Sequence, residues 1–107
     1  MNQSDTFEEM KDYLDHFIAE RNWDRYRTPK NLVMALSAEV GELTECFQWL
    51  SEQESMTVKN DLTKRKAIEE EMADVLSYLV QLAGKLEIDL QSAFWDKTKK
   101  NEIKHKV

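Results

Sequence analysis

The chain has 107 residues, and its 15 Lys and Arg against 21 Asp and Glu give a net charge of −6. The single Cys excludes an internal disulfide and disfavours a cysteine-based zinc site, and the acidic balance disfavours general binding to a nucleic-acid backbone. The longest uncharged stretch, residues 75–84, is shorter than the ~20 apolar residues of a membrane span. The polar N-terminus does not resemble a signal peptide, and we expect one cytoplasmic domain over residues 1–107.

The first half of the chain predicts two helices, in keeping with a composition poor in Gly and Pro. Thr6 and Glu9 form a capping box, after which apolar residues recur at helical spacing up to about residue 22. Thr28 and Pro29 are typical of the N-cap and first residue of a second helix. The apolar stripe of this second helix continues to about residue 50.

The second half predicts two further helices. The polar segment 51–61 is predicted as a loop with a frayed start to the third helix, whose apolar stripe runs from Ile68 to Leu86. Asp89 is the expected N-cap of a fourth helix that continues into the Lys-rich residues 96–107. No window alternates strictly between apolar and polar residues, so we predict an all-α fold, an antiparallel four-helix bundle with short connections.

Paired acids stand where the core should be. Glu39 and Glu42 on the second helix, and Glu71 and Asp74 on the third, are three residues apart, so each pair lies on one helical face. That face borders the apolar stripe in both helices. Charged groups on such a shoulder are usually paired, protonated or bound to metal.

Cationic partners for these acids are scarce, because helix two has no Lys or Arg after Lys30 and helix three has none between Lys66 and Lys85. Four facing carboxylates without histidine suit a hard cation, with Mg²⁺ the leading candidate and Mn²⁺ a substitute. Gly41, inside the first pair, indicates either close helix packing or room for ions and phosphates. The ordinary alternative is that acids are common on helices, and one such pair alone indicates little.

With these motifs the chain resembles the MazG-like all-α nucleoside triphosphate pyrophosphohydrolases, most closely the short members and the dCTP pyrophosphatases. The resemblance rests on NLVMALSAEVGELTECFQW and EEEMADVLSYLVQLA, which hold the family's ExxE and ExxD pairs, and extends over roughly residues 7–104. It implies that the four carboxylates bind Mg²⁺ while water attacks the α-phosphorus, releasing a monophosphate and pyrophosphate. It also implies a homodimer or a dimer of dimers.

The resemblance extends to nucleotide-binding residues. Members of the family place a K-x-x-x-N pattern of the last helix near the nucleotide, which Lys97 and Asn101 match. In dCTP-type members two Trp and a Tyr surround the base, which Trp23, Trp49 and Tyr78 match. The R-Y-P ending of many relatives is missing here.

The general base is expected to be Glu42 or Glu71, and the sequence does not choose between them. Two other classes of protein remain open: a carboxylate bundle whose metal serves redox or storage, and a non-enzymatic helical module that dimerises or binds a partner helix. Di-iron bundles need two ExxH motifs, whereas Glu102 and His105 form only one. A non-enzymatic module would pair its carboxylates with Lys.

Overall fold

A computed structural model of the protein describes residues 5–106. This part of the chain is all helical and contains no strand, as the sequence predicts. The α-helices are α1 (Thr6–Glu20), α2 (Pro29–Glu45), α3 (Glu52–Thr57), α4 (Leu62–Lys85) and α5 (Leu90–Lys104), with 3-10 turns at Asp24–Tyr26 and Val58–Asn60. None of the described helices is long and apolar enough to cross a membrane. Residues 1–4 and residue 107 lie outside the described range. The signal-peptide prediction falls partly on residues 1–4. The single domain over 1–107 stays a prediction.

Side-chain caps fix where most helices begin. The predicted cap of α1 is wrong by one residue, because the Asp5 carboxylate accepts from the Phe7 and Glu8 amides and Thr6 is already helical. Asp beside Thr competes for the same position, and both are good N-caps. Thr28 and Asp89 cap α2 and α5 as predicted.

The segment predicted as a loop, residues 51–61, is mostly helical. Ser51 and Glu54 form a reciprocal capping box at the start of α3: the Glu54 amide donates to Ser51 Oγ and the Ser51 amide donates to Glu54 Oε1. A polar six-residue helix has no apolar stripe, so periodicity does not reveal it. The helix α2 also ends earlier than its apolar stripe, at Glu45, and the chain then turns through residue 49.

The helix α4 is the longest and organises the fold, since α2 and α1 both pack on it. Their shared core is small and holds Ile18, Leu32, Val80 and Ala83. Near its end α4 comes very close to α1, because a Cβ on Gly84 would lie 2.8 Å from Lys11 Cδ. Glycine at position 84 therefore permits this approach.

The predicted four-helix bundle is not confirmed within one chain, because α5 packs extensively on no other described helix. The radius of gyration, 16.8 Å, exceeds the about 13 Å of a compact chain of this length. Large apolar side chains of α5 are more than half exposed, and they are Phe94, Trp95 and Ile103. One chain thus leaves much apolar surface uncovered.

Candidate functional site

The two acidic pairs face each other across the contact between α2 and α4. One carboxylate oxygen each from Glu39, Glu42 and Glu71 lies within 4.8 Å of the others. Asp74 lies close enough to Glu39 for its carboxylate to help raise the pKa of Glu39. The structure therefore brings together all four side chains that the spacing singled out, here called the carboxylate cluster.

No cation neutralises the carboxylate cluster within residues 5–106, because none of its four members forms an ion pair there. Glu71 Oε2 is buried and has no hydrogen-bond partner among the described residues. A buried carboxylate oxygen without a partner is costly. Its isolation indicates that the partner is something other than a side chain of this part of the protein.

Crowding and burial shift the affinity of the cluster for protons. The pKa of Glu39 is raised to about 7, first by the neighbouring Glu42 carboxylate, then by burial and by Asp74. Burial is the main cause of the raised pKa of Glu71, and the charges of Glu42 and Asp74 add to it. Such shifts are common at functional sites, where like charges are held together.

The residues present fit a hard divalent cation. Four carboxylates offer only oxygen ligands, which hard cations prefer. The Glu71 oxygen without a partner and the raised pKa of Glu39 both indicate that the cluster lacks a neighbouring positive charge among the described residues. Gly41, between the two acids of α2, is exposed, and a Cβ there would have nothing within 4 Å among the described residues. Close helix packing therefore does not account for Gly41 within one chain.

A cavity of about 570 Å³ opens beside the carboxylate cluster, and Asp74 borders both. Its walls combine aromatic rings with a few polar groups, and the main ones are Phe17, Trp23, Tyr26, Arg27, Asn31, Asp74, Ser77, Tyr78 and Gln81. Trp23 meets Phe17 edge to face, with 6.0 Å between the ring centroids. The cavity thus joins a charged end to an aromatic interior of the size of a small organic ligand.

The structure separates the predicted nucleotide-binding residues into two groups. Trp23 and Tyr78 line the cavity. Trp49 is 87% exposed in the turn after α2, and Lys97 and Asn101 are exposed on α5; none of these three lines the cavity. One chain alone does not assemble the full set.

Sequence reasoning did not single out Ser77 and Gln81 of the cavity wall, nor the burial of Arg27 beside them. Arg27, in the connector between α1 and α2, is only 7% exposed. Its guanidinium donates to Gln81 Oε1 at 3.1 Å, to Asp24 Oδ1 at 3.1 Å and to Asp15 Oδ1 at 3.2 Å. No periodicity marks a buried arginine in a connector, although Gln81 inside the apolar stripe of α4 is a weak signal.

Comparison with known proteins agrees with this geometry. Residues 34–107, which include all four members of the carboxylate cluster, match the sequence model of the MazG-like family. The chain belongs to the MazG-like family. This confirms the resemblance read from the paired acids.

Two kinds of relative support the assignment. The chain is 40% identical over 102 residues to dCTP pyrophosphatase 1 of Rattus norvegicus, and 41% identical over 92 residues to the Homo sapiens protein of that name. The match to the rat protein covers 95% of this chain and 60% of that protein, so the chain spans about three-fifths of its length. A crystal structure of a pyrophosphatase from Archaeoglobus fulgidus superposes with a TM-score of 0.90 at 40% identity, covering 100% of this chain and 98% of the other.

Proposed function

We propose that this MazG-like protein is a Mg²⁺-dependent nucleoside triphosphate pyrophosphohydrolase that prefers dCTP and serves nucleotide-pool housekeeping in the cytoplasm. The observation that carries the proposal is the carboxylate cluster, which no cationic side chain of residues 5–106 neutralises and which shares Asp74 with an aromatic cavity. The names of the relatives support the reaction and the substrate. Carboxylates paired with Lys, which a helical interaction module would show, are missing from this site within residues 5–106.

In this proposal Glu39, Glu42, Glu71 and Asp74 hold the metal. When bound, Mg²⁺, or Mn²⁺ in its place, neutralises phosphate oxygens and lowers the pKa of water. The substrate's triphosphate is itself anionic, so the cluster and the phosphates repel each other until a cation lies between them. The protein's part is to keep four hard ligands in place before the substrate arrives.

The proposed reaction is attack by water on the α-phosphorus. A bond forms between the water oxygen and the α-phosphorus, the bond from that phosphorus to the α,β-bridging oxygen breaks, and pyrophosphate leaves. Glu42 or Glu71 takes the proton from the water. In the metal-free protein the pKa of Glu71 is raised, first by burial, which is the direction that suits a general base.

Trp23 and Tyr78 are proposed to hold the base. Tyr78 follows Asp74 by one helical turn on the same face of α4, so a nucleoside in the cavity lies beside it when the phosphates lie at the cluster. Aromatic faces stack on any base, which gives affinity without strong discrimination.

The remaining nucleotide-binding residues, Trp49, Lys97 and Asn101, are proposed to reach the site of a neighbouring copy in a homodimer or a dimer of dimers. The support is the exposure of Trp49 and of three large apolar side chains of α5, Phe94, Trp95 and Ile103, since exposed apolar surface often marks an interaction site. Closed symmetric assemblies are the usual form of such proteins. Sedimentation at micromolar concentration tests this, and a monomer would refute it.

The reaction is tested by incubating the protein with a panel of nucleoside triphosphates and Mg²⁺ and separating the products by chromatography. We expect a nucleoside monophosphate and pyrophosphate, fastest from dCTP. Orthophosphate as the first product, or full activity in excess chelator, would contradict the proposal. A Mg²⁺-dependent thermal shift with a non-hydrolysable dCTP analogue reports binding independently of turnover.

A further inference from the structure

The polar wall of the cavity is held in one orientation by a buried hydrogen-bond chain. Arg27 Nε donates to Gln81 Oε1 at 3.1 Å, and Gln81 Nε2 donates to Ser77 Oγ at 3.2 Å. A guanidinium has no acceptor, so the atom of Gln81 that faces it must be the oxygen. Arg27 therefore decides which way the Gln81 amide points.

Arg27 is itself fixed from the opposite side. Asp15 and Asp24 accept from its two terminal nitrogens at 3.2 and 3.1 Å, and Lys85 donates to Asp24 at 3.1 Å. The guanidinium is thus neutralised and held by groups outside the apolar wall. With two partners for its ends and one for Nε, it has little freedom to turn.

The Gln81 amide has a donor beside the cavity that the described residues leave without an acceptor. Gln81 is 6% exposed and lines the cavity together with Ser77 and Arg27. The second N–H of Gln81 Nε2 makes no hydrogen bond within residues 5–106, and a buried donor left unpaired is costly. A ligand acceptor in the cavity would satisfy it.

The position of Gln81 along α4 suits the far edge of a base. Asp74, Tyr78 and Gln81 follow each other at spacings of four and three, on one face of the helix. Seven residues separate Asp74 from Gln81, about 10 Å along the axis, which is comparable with the reach from a nucleotide's α-phosphate to the outer edge of its base. Asp74 of the carboxylate cluster, Tyr78 and Gln81 thus follow one another along one helix. The phosphate, the ring and the outer base edge of a bound nucleotide would lie beside them in the same order.

We propose that Gln81 is a specificity-determining residue that donates a hydrogen bond to the acceptor edge of cytosine, and that Arg27 is a positioning residue that fixes the Gln81 amide. This inference rests on the proposed function. Cytosine offers adjacent acceptors, O2 and N3, to a donor edge. Uracil and thymine carry a proton on N3, which a fixed donor opposes.

The decisive variant is Gln81→Glu, which keeps an oxygen for Arg27 and replaces the donor with an acceptor. We expect the ratio of kcat/KM for dCTP to that for dUTP to fall about tenfold or more, mainly through KM, because the carboxylate accepts from uracil N3–H. The matched control is Gln53→Glu, the same change at an exposed position of α3, which should leave the ratio unchanged.

A second variant protects the test against a folding defect. Arg27→Lys keeps the charge for Asp15 and Asp24 but loses the Nε donor, so the Gln81 amide can turn over. We expect the same ratio to move towards one while kcat for both nucleotides changes little, whereas a general loosening of the fold would lower kcat for both. Circular dichroism and melting temperature confirm which variants are folded.

Three outcomes separate the two proposals. A ratio that falls in Gln81→Glu and moves towards one in Arg27→Lys supports the inference. An unchanged ratio in a folded variant, with the wild-type protein still releasing pyrophosphate, overturns the inference and leaves the proposed function standing. A wild-type protein that neither hydrolyses dCTP and dUTP nor binds their non-hydrolysable analogues overturns both.

Discussion

Two groups of charged side chains border the same cavity and are composed in opposite ways. At the carboxylate cluster four acids meet without a cation in the described part of the chain. At the Arg27 group each acid has a cation: Asp15 accepts from Arg27 and Lys11, and Asp24 accepts from Arg27 and Lys85. The carboxylate cluster can accept a cation from outside these residues. The acids of the Arg27 group already have cationic partners, and this group holds the local structure in place.

The pKa directions show the same contrast. The pKa of Glu39 is raised to about 7 by neighbouring acids and burial. The pKa of Asp24 is lowered instead, first by Lys85 and then by Arg27. Acidic residues therefore indicate a cation-binding site only where no cationic side chain lies close enough to pair with them.

The largest expected effect is the loss of turnover in the carboxylate cluster. Glu71→Gln should reduce kcat about 100-fold or more, because the amide removes a hard anionic ligand. The melting temperature of the metal-free protein should stay equal or rise, since one of four crowded charges is gone. Glu39→Gln, Glu42→Gln and Asp74→Asn are expected to behave alike, as Mg²⁺-dependent kinetics and thermal melts will show.

Glu69→Gln is the matched control for that series. Glu69 is on the same helix, is exposed, and forms surface ion pairs with Arg65 at 3.4 Å and Lys66 at 3.7 Å. Such pairs contribute little to stability, so both activity and melting temperature should change little. Near-normal turnover in all four cluster variants would contradict the site.

Breaking the Arg27 group should lower stability, whereas the cluster variants lose turnover and keep their stability. Arg27→Met should lower the free energy of unfolding by about 2 kcal/mol, less than the roughly 3–5 kcal/mol of a fully buried pair, because Asp15 and Asp24 are partly exposed. Denaturant titration measures it, with exposed Arg25→Met as the control. A melting temperature equal to that of the wild type would show that the group does not stabilise the fold.

The pH dependence of stability should also separate the two groups. The Glu39 pKa is higher in the folded protein, about 7, than the ordinary value of 4.5. Its contribution is therefore fully present below pH 4.5 and is lost as the pH rises through about 7. The metal-free protein should melt at a higher temperature at pH 5.5 than at pH 8, an interval that covers most of this loss.

Two additions sharpen the pH experiment. Glu39→Gln should flatten the slope, because the titrating group is removed. Saturating Mg²⁺ should also remove the pH dependence of the melting temperature, since a bound cation favours the ionised cluster. A melting temperature that rises from pH 5.5 to pH 8 without metal would contradict the crowding of these acids.

The smallest effect is expected at Trp49, which belongs to neither charged group. Trp49→Ala should raise KM for dCTP a few-fold with little change in kcat, because stacking far from the phosphorus binds ground and transition states alike. Its 87% exposure in one chain predicts little change in the stability of that chain. Trp49→Phe should restore KM, and unchanged KM in the alanine variant would remove Trp49 from the nucleotide site.

Much of the fold and half of the site could be predicted from the sequence, for physical reasons. Helical periodicity and the caps Thr28 and Asp89 placed the four long helices. The carboxylate cluster could be found because α2 and α4 pack with their apolar stripes together, so acids on the shoulders of those stripes must meet. The short polar helix α3 has no stripe and was missed.

The hydrogen-bonded part of the cavity wall could not be predicted, since it depends on contacts between distant parts of the chain. The bond from Arg27 to Gln81 joins residues 54 positions apart, and neither residue belongs to a repeating pattern. Trp49, Lys97 and Asn101 remain predictions for a different reason. One chain places them away from the cavity, so their role is tested only by variants and by the state of assembly.

The arrangement of chemistry along α4 constrains which changes in chain length the protein tolerates. Glu71, Asp74, Tyr78 and Gln81 keep one face only while the helix remains uninterrupted between them. A single inserted residue between Asp74 and Tyr78 would rotate everything beyond it by about 100° and advance it about 1.5 Å. The carboxylate cluster would keep its arrangement, but Tyr78 and Gln81 would leave the cavity wall. We therefore expect insertions to be tolerated in the loops but not within α4, where the spacing of these residues is fixed.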